Sequence, residues 1–394
     1  MQTTHALKNL AWGISLALFG LGCGSAITAR GPITIADQGF FFVGGRYVAV
    51  ANNGHIMADQ MYVHYQIPYE KKHPYPIVLI HGGGQTANNF ESTPDGREGW
   101  ATFFLRDGFS VYLVDQPGRA RSPYQPEVYG PLAPGARASS SVEQRFTAPK
   151  EQNRYPQSRL HSQWPGSGKR GDPAFDQFFA SQVSGITNGG VSEKLNQAAV
   201  AALLDKIGSA IILTHSMSGT SGWLIADARP GLVKGVVGIE PSSPPFRNLD
   251  LIGPPEWFRY SAALDKPYGI TRLPIAYDPP IKDPAELKPL LEAKADRADV
   301  TRCYLQSAPP RKLVNLLNVP VLIVSGEASF HSPWDHCTGK YLTRAGVANQ
   351  YVRLEDYGIR GTGHMMMLEK NSLEIAKLIA DWLERHVDRT LPLK

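Results

Sequence analysis

The chain reads as a doubly wound α/β protein with a mostly parallel sheet, and three observations carry that reading. Short continuous apolar runs recur along it, each closed by glycine or a polar turn, as strands covered on both faces require. Amphipathic helical stretches fill the gaps, and strands alternating with helices build an open parallel sheet. Two longer segments break the alternation and are expected as a lid or cap over the carboxyl ends of the strands, where such sheets bind ligands.

In chain order, Lys8 precedes an uncharged run from Leu10 to Gly22, followed by small residues through Ala29. A short positive region, an apolar stretch too short to span a bilayer comfortably and an Ala-x-Ala-like exit near Ala26 or Ala29 predict an export signal over 1–29, with one domain over 30–394. Cys23 raises the question of lipidation, against which Gly20 stands where a lipobox prefers leucine. Phe40–Val50 and Met61–Pro68 are expected as an opening hairpin turned at Asn53-Gly54. The runs Pro76–Ile80, Ser110–Val114, Ala210–Thr214, Val236–Ile239, Val319–Ser325 and Tyr351–Leu354 supply the sheet. Ser192–Ile207 carries Leu195, Ala199, Ala202, Leu203 and Ile207 at helical spacing and stops at Gly208. A last helix is expected from Asn371, with Glu374 as capping-box partner and Ile375, Leu378, Ile379, Trp382 and Leu383 as its apolar stripe.

The interruptions are 118–190 and 241–313. From Arg119 to Gly171 there are nine Lys/Arg against three Asp/Glu, more than the whole chain's formal excess of +5. That stretch is expected either as a solvated, mobile excursion or as a functional lid. The second interruption starts proline-rich and then reads as helical pieces such as Pro284–Ala298. A hydrophobic fraction of 42% fills a large core and excludes wholesale disorder. A charge of +5 is too weak and dispersed for a nucleic-acid partner, and no run beyond the leader suits stable membrane insertion. Cys303 and Cys337 remain after the leader; in an oxidising compartment they point to one disulfide, two buried free thiols being the alternative.

Three motifs converge on nucleophilic serine chemistry. Thr214-His215-Ser216-Met217-Ser218-Gly219 joins a strand to a helical stretch, and a sharp turn there wants small residues around an exposed serine; Ser216 also reads as a plain helix N-cap. His81-Gly82-Gly83-Gly84 follows Pro76–Ile80, and such glycines let the backbone aim N–H groups at a developing oxyanion; His81 itself is read as structural. Gly361-Thr362-Gly363-His364 lies in a loop before the final helix, from which a base histidine reaches across the top of the sheet.

The acid is open between two glutamates. Its usual place, after Val319–Ser325, reads Gly326-Glu327-Ala328-Ser329, with a serine where the acid should be. Glu240, at the end of Val236–Ile239, orients an imidazole equally well and is favoured over Glu327, with Asp335 and Asp356 weaker. His331, Asp335, His336 and Cys337 look like a metal cluster. However, His331 and His336 stand five apart on a proline-containing loop, which is no recognised zinc spacing, so neither metal nor cofactor is expected.

His81-Gly82-Gly83-Gly84-Gln85, Asp115-Gln116-Pro117-Gly118-Arg119, Thr214-His215-Ser216, Gly238-Ile239-Glu240-Pro241 and His364-Met365-Met366-Met367 together resemble the α/β-hydrolase superfamily. The Glu-Pro and His-Met-Met-Met pieces resemble most closely the secreted bacterial esterases with a Ser-Glu-His triad whose acid follows strand 6. The resemblance implies the α/β-hydrolase fold with Ser216 as nucleophile, Glu240 as acid, His364 as base and the Gly83 and Met217 N–H groups as oxyanion hole. It further implies hydrolysis of a small-molecule carboxylic ester through an acyl-enzyme, a secreted or periplasmic location and a homodimer. Lactone or polyester cleavage on the same triad, or a non-catalytic binding protein on the same fold, are the alternatives.

Overall fold

Eight strands form the main sheet of the computed structural model: β1 (Ile35–Ala49), β2 (His55–Pro68), β3 (Ile77–Ile80), β4 (Val111–Asp115), β5 (Ala210–His215), β6 (Val233–Ile239), β7 (Val321–Ser325) and β8 (Asn349–Arg353). They lie in the order β1-β2-β4-β3-β5-β6-β7-β8. The opening hairpin is antiparallel and β2 runs antiparallel to β4, whereas β3 to β8 are parallel. The residues described are 31–51, 54–133 and 138–388, so the expected export signal, Cys23 and Asn53 of the hairpin turn lie outside them. All these elements belong to the unit Ile33–Lys394.

β3, β5 and β7 are buried along their whole length, which is why they read as continuous apolar runs. Six helices of eight residues or more flank the described sheet: α1 (Trp100–Asp107), α2 (Pro173–Ala180), α3 (Gly189–Ile207), α4 (Gly219–Ala228), α5 (Asp335–Arg344) and α6 (Ser372–His386). Trp100 and Phe104 of α1, Phe175 and Phe178 of α2 and Ile375 and Trp382 of α6 share one core. Leu203 of α3, Trp223 of α4 and Tyr341 of α5 share another. α3 begins at Gly189, earlier than its apolar spacing predicts, because the Asn188 side chain accepts the Val191 N–H at 3.1 Å and caps it.

Two expectations are corrected. The capping box at Asn371 does not form: its amide instead donates to Thr362 Oγ1 at 2.6 Å, tying the start of α6 to the loop that carries His364. Pro284–Ala298 is not helical beyond a 3-10 turn at Pro284–Leu287. Lys288 takes a left-handed backbone at φ 43°, and the following proline disfavours a continuing helix. Leu290–Leu291 then pairs with Tyr304–Leu305. Cys303 and Cys337 are joined in a disulfide, which ties this second insertion to α5. The first insertion is a packed layer of short helical pieces. Val142, Trp164, Phe175 and Phe178 anchor it in the same core as α1 and α6. Its Pro/Gly/Ser-rich composition hid these buried aromatic anchors.

Candidate active site

The glycine, serine and Glu-Pro motifs follow directly on the carboxyl ends of β3, β5 and β6, and the His364 motif lies in the loop after β8, beyond a 3-10 turn at Leu354–Tyr357. At the end of β5, Ser216 takes φ 53°, a backbone that non-glycine residues rarely adopt. Two bonds hold it there: its carbonyl accepts the Ser242 N–H at 2.9 Å, and the Ser218 hydroxyl oxygen accepts the His215 N–H at 3.0 Å. Ser218 Oγ also lies 3.0 Å from the Ile80 carbonyl, so this serine, standing where glycine is usual, ties the turn to β3. Ser216 is partly exposed and lines a cavity of about 570 Å³.

The loop after β3 passes directly over this turn. A Cβ at Gly82 would lie 2.9 Å from His215 Nδ1 and 3.0 Å from Ser216 Cβ, so only glycine permits the approach. Gly83 and Met217 line the cavity together with Ser216 and His364. His81 is buried behind them: its Nε2 accepts the Gln116 N–H at 3.3 Å and its Nδ1 donates to the Gly82 carbonyl at 2.9 Å. Burial pushes its pKa down to about 4, and it serves as a neutral brace.

His364 Nδ1 is hydrogen-bonded to Glu240 Oε2, and both side chains are almost wholly buried. Glu240 Oε1 accepts the Gly326 N–H at 2.8 Å, and Oε2 accepts the Ser329 hydroxyl at 2.6 Å. Burial pushes the Glu240 carboxyl up, to about 8, against the pull of His331 and of these two donors. Ser329 therefore occupies the acid's usual place and donates to the glutamate. Once Glu240 is ionised, an imidazole whose Nδ1–H it holds presents Nε2 as the proton acceptor.

The other acid candidates have different partners. Glu327 accepts from Arg360 and from the Gly361 N–H, each at 2.8 Å, and braces the loop that leads to His364. Asp335 is buried and paired with His331, Oδ1 to Nδ1 at 3.0 Å, and its pKa is pushed well above the usual range by burial. Asp356 is exposed. The sequence reading grouped His331 and Asp335 with His336 and Cys337 but did not foresee this hydrogen bond, although the four-residue spacing at the start of α5 is the signal for it. The His331 ring stacks on His364 with centroids 4.7 Å apart, and Phe330 and Phe146 pack at 4.8 and 5.3 Å. His215, kept neutral by burial that lowers its pKa to about 3, donates from Nε2 to the His364 carbonyl at 3.1 Å. His336 Nε2 lies 3.2 Å from Cys303 Sγ, but the two sulfurs share a disulfide and present no thiolate to a metal.

A serine on a strained turn, beside a loop of close-packed glycines and an imidazole buttressed by a buried carboxylate, is an arrangement suited to acyl transfer. The sequence profile of the Alpha/beta hydrolase family matches residues 77–378. The chain belongs to the α/β hydrolase family. It is 44% identical over 346 residues to the probable secreted lipase phiG of a fungal species (strain ATCC 74256), covering 88% of this chain and 89% of that one. Among solved structures, a novel bacterial esterase is similar at 25% identity and TM-score 0.63, over 91% of this chain and 98% of that chain. The family's cavity here is walled partly by both insertions, with Arg145, Phe146 and Gln182 from the first and Ser242, Leu249 and Arg272 from the second. Among the described residues, no helix is long and apolar enough to cross a membrane.

Proposed function

We propose that this α/β hydrolase is a secreted carboxylic ester hydrolase acting through Ser216, His364 and Glu240. The observation that carries the reading is the buried His364–Glu240 pair, which shares one cavity with a serine on a strained turn. Ser216 Oγ attacks the ester carbonyl while His364 takes its proton, and Glu240 holds the tautomer and stabilises the imidazolium. The Gly83 and Met217 N–H groups receive the oxyanion. His364 then protonates the leaving alcohol, and water hydrolyses the acyl-enzyme by the same route in reverse. The two insertions act as a cap that shapes the acyl and alcohol pockets. The names of the lipase and esterase relatives support ester chemistry and export.

The test is hydrolysis of short and long p-nitrophenyl esters by the mature chain beside Ser216→Ala. Loss of about 10⁶-fold in kcat is expected for a triad nucleophile. A fluorophosphonate should form one adduct, located to Ser216 by peptide mass spectrometry. Equal turnover by both proteins, or an adduct elsewhere, rejects the assignment. For export, sequencing of the secreted chain's N-terminus should find a start just after Ala26 or Ala29.

A further inference from the structure

The ester chemistry leaves Arg119 without a task. It follows β4 through Asp115-Gln116-Pro117-Gly118, is only 5% exposed, and lines the cavity shared by Ser216 and His364. The neighbouring cations are matched. Arg121 Nε reaches Asp115 at 2.7 Å, and Arg272 is held by Glu193 and Asp265. Arg119 is not: its Nη1 is buried without a hydrogen-bond partner, and no described carboxylate stands within ion-pair distance of the guanidinium. Burial alone lowers its pKa, to about 10, leaving it charged at neutral pH.

The position is a built one. The guanidinium lies against the backbone of Gly185, where a Cβ would come within 2.2 Å of Nη2 and 2.4 Å of Cζ. Gly185 belongs to the stretch of the first insertion that lines the cavity, so the insertion leaves room for this cation at the cavity wall. A buried charge without a counter-ion is costly, and a protein keeps one where something else supplies the opposite charge. A planar fork of N–H donors matches a carboxylate in geometry as well as in charge.

We infer that Arg119 receives a carboxylate carried by the ester substrate, so that the enzyme acts on half-esters of dicarboxylic acids or on esters of hydroxy acids. The inference rests on Ser216 being the nucleophile. It also gives the first insertion a definite role, the placing of Gly185 against this cation.

The test compares kcat/KM for mono-p-nitrophenyl succinate, glutarate and adipate with that for p-nitrophenyl butyrate, pentanoate and hexanoate. A parallel series, acetoxyacetate against ethyl acetate and 4-acetoxybutanoate against butyl acetate, puts the carboxylate on the alcohol side. In one series the acid is preferred by about tenfold or more. That ratio falls toward one in Arg119→Gln and is partly kept in Arg119→Lys. In addition, glutarate but not the uncharged glutaramide raises the Tm of the full chain, and the shift disappears in Arg119→Gln. Turnover of neutral esters with no preference for the acid in either series, or a preference unmoved in Arg119→Gln, overturns the inference while Ser216 stands. A glutarate shift that depends on Arg119, with no ester turned over, upholds the carboxylate site and rejects the ester reading.

Discussion

Glu240 and Glu327 leave the carboxyl ends of neighbouring parallel strands, β6 and β7, and each folds its carboxylate toward the loop of His364. Their surroundings differ completely. Glu240 is fully buried and gathers an imidazole, a hydroxyl and a backbone N–H. Glu327 meets Arg360, whose side chain is 67% exposed, and one backbone N–H of the loop. A carboxylate's place in the fold therefore says little about its work; the donors that converge on it say more. Ser329 sets the two surroundings apart, because its short hydroxyl after β7 donates to the carboxylate that arrives from β6.

The comparison breaks most severely at Glu240 itself. Glu240→Gln is nearly isosteric, but its amide favours the wrong imidazole tautomer, and kcat is expected to fall by about 10⁴-fold. The same variant should gain stability on the alkaline side. Burial raises the folded-state pKa of Glu240 to about 8 from an ordinary 4.5. Between those values the unfolded chain releases the proton more readily than the folded one, so this group lowers wild-type stability as pH rises through that window. The Tm of Glu240→Gln minus that of wild type should therefore grow between pH 5 and pH 9. A constant difference would mean that the site's donors cancel the cost of burial.

A second acid in the other position sharpens the contrast. Ser329 Oγ lies 2.6 Å from Glu240 Oε2, so a carboxylate at 329 arrives close to the imidazole. Glu240→Gln/Ser329→Asp should recover about tenfold to a hundredfold of the lost kcat, since the triad is defined by geometry and not by chain position. No recovery would show that β7 cannot deliver a carboxylate to Nδ1 here.

Much of this was legible in the residue order, for a physical reason. Strands buried on both faces must be apolar throughout, and groups at their carboxyl ends must face one another, so the runs located the sheet and the motifs gather at one candidate site. What stayed hidden depends on contacts between distant segments. Ser329 donates to a residue 89 positions away, and Asn371 spends its amide on Thr362 where local patterning promised a helix cap. The first insertion looked like a loop because its composition is a loop's, while its stability comes from a few aromatics that find the core of α1 and α6. His331 and Asp335 stood out in the sequence as part of a cluster resembling a metal site, and the stacking of the His331 ring on His364 could come only from the fold.

Removing only the hydroxyl gives a smaller effect. In Ser329→Ala the buried carboxylate loses one charge-assisted donor, worth about 1.5–3 kcal/mol. Since that donor favours the ionised form, its loss raises the Glu240 pKa further. The ascending limb of kcat/KM against pH should then move to higher pH, with about tenfold lower activity at neutral pH, an effect within that energy range. A uniform loss with an unmoved pH profile would assign Ser329 to packing alone.

The smallest effect belongs to Glu327, and its smallness is the point. Glu327→Gln keeps an oxygen for the Gly361 N–H and gives up only the ion pair with a largely exposed Arg360. Exposed pairs are screened by water and contribute about 0–1 kcal/mol, so kcat/KM should stay within about threefold of wild type and the pH profile should not shift. Glu327→Ala goes further by leaving the Gly361 N–H, three residues before His364, without its acceptor. KM and Tm should then respond before kcat does, because a loosened loop still carries an imidazole oriented by Glu240. If Glu327→Gln instead cost as much as Glu240→Gln, the acid would have to be shared between the two strands, and the buried donors around Glu240 would be a structural anchor and not the machinery of the reaction.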